Sequence, residues 1–254
     1  MFSLATKFMI KFPTKFTSIN TTVFPRSYTL RSLATKPCNS IKLFNEHKSS
    51  SKNTPAVIVF DEETTGLSRK YDRIIELAAR DLRGGINSTF ETLINPEIHV
   101  RNSHVHGITT QMVCNPNVPR FEEVIPKFIK FVDDCQKDRN GVLLVAHNGR
   151  RFDVPFLIKE FERYSMEVPL KWLFLDTLTL VKRLMNQDGR KLRSLSLRSL
   201  GQHYGIQSEG EHRAMQDLNT LSYVLQSITM DFKLSVDDLL QFSFTASHLS
   251  SSPS

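Results

Sequence analysis

The sequence predicts an α/β domain: one mixed sheet with helices packed against it. Two observations carry this expectation. Three strand-like runs succeed one another with a tight turn between the second and third, and beyond them strand-like runs alternate with segments of helical period.

Taken in order, AVIVF (56–60) is a short, β-branched apolar run suited to a buried strand. RIIELAARDL (73–82), Gly84-Gly85 and INSTFETLI (86–94) read as two strands joined by a tight turn, which completes a three-strand meander. In FEEVIPKFIKFVDDC (121–135), Phe121, Val124, Phe128, Ile129 and Val132 recur at helical spacing, and Pro126 should kink this helix or shift its start. GVLLVA (141–146) is another buried strand, and Asp153 to Tyr164 follows it with a helical pattern. WLFLDTLTLVKRLM (172–185) reads as a strand turning into a helix near Asp176, LRSLSLRSLGQHYGI (192–206) as a helix closed by Gly205, and RAMQDLNTLSYVLQSI (213–228) as the clearest helix of the chain. The Ser-rich end, 233–254, is expected to be a largely disordered tail. No internal repeat is present.

A net charge of +7 over 254 residues would ordinarily point to an acidic partner such as nucleic acid. Its location removes that inference. Residues 1–45 hold Lys7, Lys11, Lys15, Arg26, Arg31, Lys36 and Lys42 and no acid before Glu46, so the remainder carries 26 basic and 26 acidic residues. Rich in Ser, Thr and Phe as well, this leader has the composition of an organelle transit peptide; the alternative is a disordered basic arm that touches nucleic acid or an anionic membrane. The expected location is a mitochondrion and/or chloroplast. Lys7 and Lys11 interrupt the apolar start, and no later stretch approaches the roughly 18 apolar residues of a membrane helix, so no membrane association is expected. Residues 46–55 read as a polar linker and 56–232 as the folded domain. Cys38, Cys114 and Cys135 form no CxxC pair and read as reduced thiols.

Candidate chemistry lies in the carboxylates. Asp61 and Glu63 end the first strand, and side chains two apart on a strand share a face, where two acids must shift a pKa or share a cation. A divalent metal with hard oxygen ligands answers that need, and solvation in a loop is the alternative. On the last helix the apolar stripe runs Ala214, Asp217, Leu221, Val224, Ile228, which gives Asp217 a core position. A carboxylate there needs a cation or a strong donor; a salt bridge to an Arg would serve as well. His212, five residues earlier, has the ordinary pKa of a general base, although a surface or capping histidine would look the same. Asp153 opens a helix, where an acid is favourable for dipolar reasons alone, and Asp176 reads as a helix cap. Glu62 points to the opposite face from its neighbours.

Together, FDEETTGL, HNGRRFD and HRAMQD closely resemble, in order and separation, the three exonuclease motifs of the DEDDh family, to which the proofreading subunit of bacterial DNA polymerase belongs. VHGIT (105–109), LINP (93–96), LDTL (175–178) and SLRSLGQHYGI (196–206) extend the match over roughly 56–228, and with the leader the whole is similar to the plant exonucleases that degrade organelle DNA. The resemblance implies a ribonuclease H-like five-stranded mixed sheet with helices on both faces. It also implies two Mg²⁺ ions, with Mn²⁺ as substitute: one held by Asp61, Glu63 and Asp217, the second by Asp61 with Asp153, with His212 as the base. The implied partners are single-stranded or frayed DNA 3′ ends, with RNA ends as the alternative substrate, and by family habit a second copy of the chain as a homodimer. A module that binds a partner without catalysis is the remaining reading. Thr64, Thr65, Gly66, Leu67 and, by analogy, His106 would meet the terminal nucleotide, with a purely structural turn and a packed histidine as alternatives. Arg150, Arg151 and Arg213 are candidates for backbone contacts. Glu62 departs from the apolar or small residue usual at its position.

Overall fold

Alternation along the first strand decides which layer each of its residues serves. In β1 (Ala56–Thr64), Ala56, Ile58 and Phe60 enter one apolar layer, and Val57 and Val59 the other. The structure, a computed structural model, describes residues 54–207 and 213–250; the basic leader, nearly all of the linker and His212 lie outside them. β1 runs on past AVIVF, because Asp61 to Thr64 continue the ladder with β2 (Ile74–Asp81), antiparallel to it. β3 (Thr89–Leu93) pairs antiparallel with β2 across a turn in which Gly84 and Gly85 both take positive φ, 71° and 102°. On the other side β4 (Val142–Ala146) is parallel to β1, and β5 (Trp172–Asp176) is parallel to β4. The order β3-β2-β1-β4-β5 is the mixed five-stranded sheet that the resemblance implies, with β1 at its centre.

Two short helices, α1 (Ser103–His106) and α2 (Thr110–Val113), follow β3. One face of the sheet is covered by α3 (Phe121–Gln136) and α4 (Asp153–Arg163), whose Phe121, Phe128, Phe156 and Phe161 join Trp172 and Phe174 in an aromatic layer. The other face is covered by α5 (Thr177–Gln187), α6 (Leu197–His203) and α7 (Ala214–Asp231). No helix among the described residues is long and apolar enough to cross a membrane.

Of the two effects expected of Pro126, a shifted start is not found: it lies inside α3, which begins at Phe121. Two expectations need correction. The helix read over 192–206 shrinks to α6, because the Ser196 hydroxyl accepts from Ser199 N at 3.2 Å and starts the helix only there. The supposed tail carries α8 (Val236–Leu240) and α9 (Ser247–Ser250), and between them Phe244 exchanges two backbone hydrogen bonds with Phe174 at 2.8 and 2.9 Å. Serine content concealed a working apolar set: Leu239 and Phe244 are buried, and the segment covers the otherwise open edge of β5.

The Phe244 ring packs 5.9 Å from that of Phe174 under the guanidinium of Arg150. Phe244→Ala is expected to cost about 3 kcal/mol, seen as a lower urea midpoint at unchanged slope; a dispensable tail would leave the midpoint in place.

Candidate metal centre

Strand alternation carries Asp61 and Glu63 to the face that α7 covers. Asp217, in the first turn of α7, comes down over the same end of β1, and oxygens of the three carboxylates lie within 4.8 Å of one another. Glu63 is buried, and Asp61 and Asp217 are partly so. Three anions at that spacing beside an apolar layer repel one another strongly unless a cation is shared, and an all-carboxylate donor set suits a hard divalent ion. The residues present therefore fit a divalent metal.

What aims Asp217 is a residue the sequence reading missed. Glu76 on β2 stands directly opposite Glu63 in the register and is almost fully buried. Its two oxygens accept from Arg213 Nε at 3.1 and 3.0 Å, one accepts from Arg213 Nη2, and Oε2 accepts from the Ala214 amide at 2.9 Å. A carboxylate is thus seated on the N-terminus of α7, where backbone amides and the helix dipole favour it. Arg213, a candidate for backbone contacts, is committed to Glu76, whose carboxylate raises its pKa further. The available signal was a single acid in the apolar run IIELAA.

Asp153 opens α4 and is buried, close enough for its charge to act on Glu62 but outside the trio. The turn before it is tied to β5 by Asp176, whose Oδ1 accepts from Asn148 N and Leu178 N, both at 2.9 Å, while Oδ2 accepts from Thr179 Oγ1 at 3.0 Å. Arg150 stacks on Phe244, and Arg151 is exposed.

In the turn after the acids, Thr64 Oγ1 donates to Gly66 O at 2.6 Å, and Thr65 Oγ1 donates to Asp72 Oδ1 at 2.9 Å while accepting from Arg73 N at 3.1 Å. Both hydroxyls are spent on the fold. Gly66 lies so close to the Asp72 carboxylate that a Cβ would sit 2.5 Å from Oδ2. Leu67, by contrast, is 62% exposed. His106 is buried, its Nδ1 accepting from Ile108 N at 3.1 Å, so that in the neutral ring Nε2 donates to Asn102 Oδ1 at 3.2 Å. His212 falls outside the described residues.

Glu62 faces the α3–α4 layer, buried, with neither oxygen in a hydrogen bond. Burial holds its pKa well above the ordinary carboxylate value, and the charges of Asp153, Asp61, Glu160 and Glu63 push it further. Its carboxyl is a cost to the fold, so Glu62→Leu is expected to raise stability by about 1 to 3 kcal/mol; an unchanged or lower melting temperature would contradict this.

Carboxylates gathered at the end of the central strand of such a sheet are the arrangement that the resemblance to metal-dependent exonucleases implies. The chain belongs to the exonuclease family, whose model matches residues 58–225. Over 197 residues, 76% of this chain and 62% of the relative, it is 50% identical to the exonuclease DPD1, chloroplastic/mitochondrial, of Arabidopsis thaliana. It is 36% identical to the PolC-type DNA polymerase III of Thermotoga maritima over 72% of this chain but only 12% of the polymerase. The chain thus spans less than two thirds of the length of these relatives. The zinc-bound complex of E. coli ExoI with single-stranded DNA shares the fold, with a TM-score of 0.60 at 16% identity over 70% of this chain and 41% of that one.

Proposed function

We propose that this protein is a divalent-metal-dependent 3′-to-5′ exonuclease that releases nucleoside 5′-monophosphates from DNA ends in a chloroplast or mitochondrion. The approach of Asp61, Glu63 and Asp217 to within 4.8 Å carries the reading. These three would hold one Mg²⁺, and Asp61 with Asp153 would serve a second, with Mn²⁺ able to replace either. When bound, such a pair supplies electrostatic stabilisation of the attacking and leaving oxygens of an in-line displacement. The chain's own part would be to bring the strand end to those carboxylates, with Leu67 exposed in the turn that follows β1, and to take a proton from the attacking water on His212. DNA as substrate and an organelle as location are supported by the names of the relatives and by a leader with seven basic residues and no acid.

The purified chain, given Mg²⁺ or Mn²⁺ and a 3′-labelled single strand of DNA, should release labelled mononucleotide, and Asp61→Ala should reduce that release to background. Intact label in the wild-type reaction would refute the proposal. A matched RNA strand degraded faster than DNA would move the substrate to RNA. His212→Ala should lower kcat by about 10²- to 10⁴-fold, and wild-type turnover in that variant would remove His212 from the role of base.

A further inference from the structure

The loop joining β1 to β2, residues 65–73, presents an aromatic ring that no part of the proposed reaction uses. Tyr71 is 66% exposed and lies on the same loop as Leu67, at the end of β1 that carries Asp61 and Glu63. An exposed tyrosine on a loose loop would mean little. This loop is fastened at several points. Tyr71 N and Asp72 N both donate to Ser68 O, at 3.1 and 2.7 Å, and the buried Asp72 carboxylate accepts from Ser68 N at 2.8 Å and from Arg101 at 2.5 Å. Arg163 Nη2 donates to the carbonyls of Arg69 and Lys70, the two residues before Tyr71, at 2.8 and 3.0 Å. Arg163 is held in turn by the buried Glu160 at 2.6 Å, and Glu160 lies on α4, the helix that Asp153 opens. The ring is therefore carried on a backbone anchored to the same helix as one of the proposed metal ligands.

The charge around the ring favours one kind of partner. Arg69, Lys70 and Arg101 are exposed, whereas the one acid of the loop, Asp72, is buried and paired with Arg101. The Lys70 ammonium lies over one face of the Tyr71 ring, 5.2 Å from its centre. A largely exposed ring with a cation over one face, in a protein whose body carries no net charge, offers its other face to a flat base and the cation to a phosphate, the two parts of the repeating unit of a single nucleic-acid strand. Preorganisation matters here, since a surface already ordered loses little freedom when a ligand is bound.

We propose that Tyr71 is a stacking platform for a base of the substrate strand beyond the terminal nucleotide, with Lys70 beside it on the adjoining phosphate. Tyr71 would set how tightly a strand is held, leaving bond cleavage to other groups. The inference rests on the exonuclease reading of the carboxylate site.

The test compares the wild-type full chain with Tyr71→Ala, Tyr71→Phe and Tyr71→Trp on two substrates: a 20-nucleotide single strand of DNA and the p-nitrophenyl ester of thymidine 5′-monophosphate, which offers one base only. Tyr71→Ala should raise KM for the strand roughly five- to a hundredfold with kcat kept, and the ester should be spared that loss. The Phe and Trp variants should restore KM. Equal KM values for wild type and Tyr71→Ala on the strand would overturn the proposal, as would an equal loss on both substrates, which would mark a general defect. If the wild type cleaves neither substrate, the exonuclease reading fails. Anisotropy of a fluorescent strand in Ca²⁺ then decides the platform alone: weaker binding by Tyr71→Ala upholds it, and equal binding overturns it.

Discussion

The buried carboxylate of Glu76, gripping Arg213 and the first amide of α7, is the contact on which the geometry of the metal-site face depends. It joins residues 137 and 138 positions apart in sequence. β2 is fixed to β1 by its ladder, so a tie from β2 to the start of α7 sets where Asp217 arrives relative to Asp61 and Glu63. Apolar packing along Leu218, Leu221, Leu225 and Ile228 presses α7 onto the sheet, and the bidentate ion pair adds a directional tie at its N-terminus. Glu76 and Glu63 are also neighbours on one face, and like charges opposite each other are unfavourable. Arg213 neutralises the first of them.

A similar division of labour appears around the turn after β1. Asp72 and Glu160 are buried acids whose oxygens are filled by arginines and backbone amides, and their effect is to fix a backbone path. Burial raises the pKa of Glu160, and Arg163 and Arg73 pull it partly back. Gly66 is required where the chain passes the Asp72 carboxylate with no room for a Cβ. Glu76, Asp72 and Glu160, each paired with arginine, hold the frame, and Asp61, Glu63 and Asp217 are gathered where a metal would complete them.

Legibility of the sequence followed the range of the interactions involved. The strands were readable as short apolar, β-branched runs and α7 as apolar residues at helical period, although β1 continues past AVIVF to Thr64. Strand and helix period put Asp61 and Glu63 on one face and Asp217 on a core stripe, and the resemblance to the DEDDh motifs is what joined the three into one site. Glu76 was not readable, because its role is defined by an arginine far along the chain. Composition misled at the C-terminus, where two buried side chains within a serine-rich stretch suffice to order it, and periodicity misled over 192–206, where Ser196 begins a helix that Leu192 and Leu195 had seemed to join. The turn at 64–67 was read as a substrate contact or a plain turn, and its two threonine hydroxyls turn out to face inward.

A body of 26 basic and 26 acidic residues has no broad field with which to draw in a polyanion, and that constrains how it can work on one. Affinity has to come from short-range features: cations at the carboxylate trio, exposed apolar surface at Leu67 and Tyr71, and the few exposed basic side chains beside them. Such features act only on the stretch of strand that lies directly against them. On the proposed reading such a surface would grip an end and let go of the rest, because beyond the reach of a screened charge, about 8 Å at physiological salt, the remaining phosphates would feel little of it. On that reading, local placement of charge, fixed by the frame of buried ion pairs, would replace overall basicity as the means of meeting nucleic acid.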